Sequence, residues 1–160
     1  MRLKLLAATV AVVGIMTICL TTGSAAASTE NEEGALVSLP FTYTGTNGGA
    51  EDLALDYAPD NMIPSSGTLT VNGGTPGGAG LLAVSFAQAD VAAFGLSFLI
   101  ATDPVNLANY FYFGFDATGA LAVPGVSQNY PFLSGTDVYM QAYEYAPGAK
   151  TSNGLVFPLL

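Results

Sequence analysis

Histidine and tryptophan are absent from this 160-residue sequence, cysteine occurs once, and only three residues are basic. The bases are Arg2, Lys4 and Lys150, and the cysteine is Cys19. Each scarcity excludes a chemistry. Without histidine, no imidazole serves as a general base or a zinc ligand. Without a second cysteine there is neither an internal disulfide framework nor a thiolate metal centre. Without a basic surface, the phosphates of nucleic acid and of anionic lipid headgroups find no counter-charge, so nucleic acid is not an expected partner. No cofactor is expected either.

What is present begins with an export pattern. Arg2 and Lys4 precede an apolar run over residues 5–20, shorter than the ~20 residues that span a bilayer. Ala25, Ala26 and Ala27 follow as a small-residue cleavage signal. Residues 1–27 therefore read as a secretory signal peptide, not a stable membrane anchor. Cys19 follows bulky Ile18, whereas a lipidated cysteine takes a small residue before it, so Cys19 reads as a filler of the apolar signal core. The expected destination is the extracellular space, the cell surface or the periplasm. After cleavage, 12 acids would face one lysine, a net charge of −11. Residues 28–34 (STENEEG) read as a disordered acidic leader, and residues 35–160 as a single domain.

Short apolar or alternating runs, closed by Gly, Pro, Asn or Asp, recur along that domain. Candidate strands lie at 36–43 (with Pro40 marking an edge or bend), 53–57, 68–71, around Leu82, Val84 and Phe86, and from Phe94 to Ile100. Further candidates are 110–115, Leu121 with Val123, 136–145 and 154–159. Only residues 87–94 suggest a turn or two of helix, stopped by Gly95. Eight or nine short strands at this spacing point to an all-β, antiparallel β-sandwich.

The aromatic strands carry the sharpest functional signal. Period-two alternation puts Phe111, Phe113 and Phe115 on one face and Tyr110 and Tyr112 on the other. The same rule groups Val138, Met140 and Ala142 against Tyr139, Gln141, Tyr143 and Tyr145. With Phe and Val marking the core, five tyrosines and one glutamine form a platform if the strands are neighbours. Such a face suits sugar rings, which stack on aromatics while hydroxyls bond Tyr and Gln. It suits protein contacts and self-association equally, and cross-strand aromatic pairs also simply stabilise sheets.

Other constellations are blander. Asp52, Asp56 and Asp60, with Glu51 and Asn61 nearby, supply the oxygens calcium prefers, but their spacing matches no EF-hand or Gly-Asp repeat loop and reads as a solvated face. A hydrolase using two carboxylates is compatible with the inventory, yet no pair stands out. Lys150, beside Thr151 and Ser152, reads as a solvated loop residue.

Four short segments, 73–77 (GGTPG), 115–119 (FDATG), 139–142 (YMQA) and 152–155 (SNGL), resemble those of small secreted bacterial β-sandwich modules of uncharacterised function. The likeness runs over about 72–158 and implies export and fold class, with no catalytic residue. The expected role is therefore a non-catalytic, structural or adhesive one at the cell surface or outside the cell. The alternative is glycan binding through the tyrosine face. Expected partners are a polysaccharide, a surface protein or further copies of the chain.

Overall fold

The computed structural model describes residues 39–60 and 65–160. The expected signal peptide, the acidic leader, and the part of the first candidate strand before Leu39 lie outside these residues. The described chain is all-β, with ten strands, no α-helix, and one short 3-10 turn at Pro131–Leu133. The strands are β1 Phe41–Tyr43, β2 Ala54–Pro59, β3 Ser66–Asn72, β4 Ala79–Ser85 and β5 Gln88–Ala93. They continue with β6 Leu96–Ile100, β7 Leu107–Gly114, β8 Leu121–Ser127, β9 Asp137–Ala146 and β10 Lys150–Pro158.

Three antiparallel sheets result. The largest has the order β1-β10-β9-β4-β7, the second β2-β3-β8, and β5-β6 stand as a hairpin. β1 is an edge strand, as Pro40 just before it suggests, because proline cannot donate to a ladder. The inward rows of the two larger sheets share one buried cluster. Leu55, Tyr57, Leu69 and Val71 from β2 and β3 meet Met140, Ala142, Leu155 and Phe157 from β9 and β10. Tyr57 stands edge-on to Phe157 with ring centroids 5.1 Å apart. Alternation explains this directly. In β3 the buried residues are Gly67, Leu69 and Val71, while Ser66, Thr68 and Thr70 are half-exposed.

The segment 87–94 is a strand and a turn, not helix. Phe94 and Gly95 both have positive φ (56° and 79°), and Ala93 faces Leu96 across them. Two consecutive left-handed residues make the tight turn whose twist matches a right-twisted hairpin. Once that turn closes, Gln88–Ala93 pairs with β6, and ladder hydrogen bonds outweigh the weak helical preference of AQADVAAF.

β7 and β8 are joined by the turn at Asp116–Gly119 but enter different sheets. Asp116 fixes that turn: its carboxylate accepts hydrogen bonds from the Thr118 N–H and hydroxyl and from the Ala120 N–H. The Gly74 N–H bonds the Gly119 carbonyl and the Phe115 N–H bonds that of Gly78. The two strands therefore diverge from an anchored point.

Candidate functional site

The register of the large sheet tests the tyrosine platform. β7 and β9 are not neighbours; β4 lies between them. Tyr110 aligns with Ala83 and through it with Gln141, and Tyr112 aligns with Leu81 and through it with Tyr143. Residues in line across a sheet share a face, so the two tyrosine rows do stand on one side, separated by Leu81 and Ala83. Phe111 and Phe113 point the opposite way and pack on the core cluster.

The face is not uniform. The β5–β6 hairpin lies over its β9–β10 half and leaves the β4–β7 half open, and Gln141 is the reason. Fully buried, its side-chain oxygen accepts the Leu99 N–H at 2.9 Å and the Tyr143 hydroxyl at 2.6 Å. Its amide donates to the Ser97 carbonyl at 2.9 Å and the Ser152 carbonyl at 2.7 Å. One glutamine thus ties β6, β9 and β10 together with its polar atoms satisfied, as burial demands. Tyr43 adds a hydrogen bond from its hydroxyl to the Leu99 carbonyl, and its ring meets Tyr139 edge-on at 6.5 Å. Phe98 of β6 stacks on Tyr143, centroids 5.7 Å apart and planes 28° from parallel. Burial pushes the Tyr43 hydroxyl up to about 12 and raises that of Tyr143 as well.

The six candidate residues therefore divide. Gln141 and Tyr143 hold the hairpin down, and Tyr139 packs against Tyr43, whose hydroxyl bonds the hairpin at Leu99. Tyr110, Tyr112 and Tyr145 remain exposed at 50%, 68% and 53%. Those three form a chain of edge-to-face contacts, Tyr110 to Tyr112 at 5.5 Å and Tyr112 to Tyr145 at 6.2 Å. Where the hairpin stops, a shallow cleft of about 330 Å³ opens beside the chain. Leu81 and Ala83 form its floor, Phe98 and Tyr143 one wall, and Tyr110 and Tyr112 the other. Phe98 gave no sign in the sequence of joining this face, because it belongs to a different sheet.

Carboxylates lie elsewhere. Asp56 is exposed on β2, with Asp52 before that strand and Asp60 after it. Among the described residues, no group of three acidic side chains is close enough to hold a metal ion. Asp90, Asp103 and Asp116 all titrate below the ordinary aspartate value because neighbouring hydroxyl, amide and backbone donors favour the charged form, led by Thr46, Asn106 and Ala120 respectively. Glu144 is a buried residue that the sequence reading passed over. Burial pushes its carboxyl up, but donors from Thr75 and Lys150 outweigh this and leave it below the usual glutamate value. Lys150, expected in a solvated loop, begins β10. Its ammonium lies 3.3 Å from Glu144 Oε2 and donates to the Gly73 carbonyl at 2.9 Å.

Compared with protein-family models, curated proteins and solved structures, the chain matches none.

Proposed function

We propose that the protein is an exported module, built as a β-sandwich, that acts by contact at the cell surface or outside the cell, in an adhesive or structural role. The observation carrying this reading is the exposed Tyr110–Tyr112–Tyr145 chain, three aromatic rings with hydroxyl rims and no charge among them. Tyrosine supplies large contact area at little conformational cost, which is why contact surfaces are rich in it. Glu144, Asp90, Asp103 and Asp116 each accept hydrogen bonds from neighbouring side chains or backbone and serve the fold locally. The likeness to secreted modules is in keeping with this reading.

The cleft favours glycan binding as a second reading. A slot between two aromatic walls admits the apolar face of a sugar ring, with the tyrosine hydroxyls at its margin. The test is a Tyr110→Ala/Tyr112→Ala double variant of the exported protein, compared with wild type for retention on envelope polysaccharides and on protein-bearing cell surfaces. Loss of retention on cells alone supports adhesion, and loss on polysaccharide supports the glycan reading. Retention unchanged on both would return the tyrosines to sheet stabilisation.

A further inference from the structure

The second cavity lies on the opposite side of the large sheet, between it and the β2-β3-β8 sheet, and Tyr112 is the one lining residue it shares with the tyrosine-side cleft. Its volume is about 210 Å³. Leu82, Phe111 and Phe113 line it from the large sheet, Leu69, Leu121 and Val123 from the other. Ser127 and Tyr130 are the polar residues of its inward lining, Tyr112 borders it from the sheet whose outer face carries its ring, and no charged residue takes part.

Its origin is topological. β7 and β8 leave the fixed turn at Asp116–Gly119 into different sheets, and neither pairs with the other. The core is closed where β2, β9 and β10 meet, with Leu55, Ala142 and Leu155 fully buried. Toward β7 and β8 it loosens, and Leu82, Phe111, Phe113, Leu121 and Val123 are only partly buried. β8 also carries a bulge on this side of the molecule. The pairing steps from Leu69 opposite Val123 to Gly67 opposite Val126, so Pro124 and Gly125 both oppose Thr68. Gly125 takes the positive φ (74°) that such a bulge requires. The extra residue shifts the alternation by one and turns Val126 inward with Leu121 and Val123.

We infer that this cavity is a binding site for a small uncharged hydrocarbon ligand, or the uncharged hydrocarbon end of one. A void lined by apolar atoms offers water too few hydrogen-bond partners. An engineered apolar cavity of roughly 150 Å³ holds benzene, so this volume corresponds to about eight heavy atoms, one substituted ring or a short branched chain. The charge pattern selects against an anion. The one lysine of the described residues, Lys150, is engaged with Glu144, so a ligand carboxylate entering the cavity would lose water without gaining a counter-charge. The Asp116–Gly119 turn, held by the Asp116 carboxylate, anchors the strands β7 and β8 that form two walls of the cavity.

The test uses p-xylene and its charged counterpart 4-methylbenzoate with the exported protein, followed by saturation-transfer NMR and by thermal unfolding. Saturable p-xylene binding that raises the melting temperature is expected, with 4-methylbenzoate at least tenfold weaker. Ala108→Phe, which places a ring in the lining, should weaken p-xylene at least tenfold, while Tyr110→Ala on the outer face should leave it unchanged. Leu121→Phe serves the same purpose if Ala108→Phe does not fold. Absence of saturable binding to wild type, equal affinity for the carboxylate, or loss of binding in Tyr110→Ala would each overturn the proposal.

Discussion

Gln141 and Tyr112 stand on the same face of the same sheet, and their substitution should separate structure from contact. Gln141→Leu keeps the volume but strands the Leu99 N–H and the Ser97 and Ser152 carbonyls in a buried site. Buried polar groups without partners are costly, so a loss of about 2–4 kcal/mol in urea unfolding is expected. Tyr112→Ala removes a ring that is 68% exposed and meets two others edge-on, and should cost about 0.5–1.5 kcal/mol, at the low end of what two aromatic pairs contribute. A reversed ranking would make Tyr112 the structural residue. Glu144 offers a second contrast. Glu144→Gln gives up a charge-assisted bond from Lys150 and weakens those from Thr75, an expected loss of about 1–3 kcal/mol at neutral pH. Because the folded carboxyl titrates below its ordinary value, its contribution is present above that value and fades as pH falls through the lowered one. The variant and wild type should therefore converge in stability in acid, as read by denaturant titration at pH 7 and at pH 3.

Strands were legible in the sequence wherever alternation or aromatic content was strong. β2, β3, β7 and β9 lie where Leu55, Leu69, Phe111 and Met140 set a period of two, and the face assignment of Tyr110 and Tyr112 follows from the same rule. Pairing was not legible, because it depends on non-local order: nothing in the runs at 79–85 says that β4 separates β7 from β9. Nor does Gln141 in isolation reveal that a hairpin from another sheet will cover it. The hairpin itself was obscured by Phe94, since the familiar signal for such a turn is Asn-Gly or Asp-Gly. A phenylalanine at φ 56° and 98% exposed sits in a conformation that costs an L-residue roughly 1–2 kcal/mol. Phe94→Asn should therefore stabilise the protein by about 0.5–1 kcal/mol, since asparagine tolerates that region and no buried surface is lost. A lower unfolding midpoint would mean that the ring makes a contact in solution that compensates its strain.

The whole molecule combines carboxylates shifted down, tyrosines shifted up and no histidine, and this sets its pH range. Glu144, Asp90, Asp103 and Asp116 favour the folded state while ionised, so stability falls as pH drops below the ordinary carboxylate range and through their lowered values. Tyr43 and Tyr57 are pushed up to about 12 by burial, from 10 in the unfolded chain. The unfolded state releases those protons first, so stability is whole below pH 10 and declines as pH rises through about 12. Among the described residues there is no histidine or cysteine, the side chains whose ordinary pKa falls between the two limits. The melting temperature of the protein should accordingly be flat from about pH 5.5 to pH 9 at constant ionic strength, with a fall on either side. Repulsion within an acidic molecule is relieved by salt, so added salt should raise the plateau while leaving its limits nearly in place. A transition near pH 6.5 would overturn this expectation.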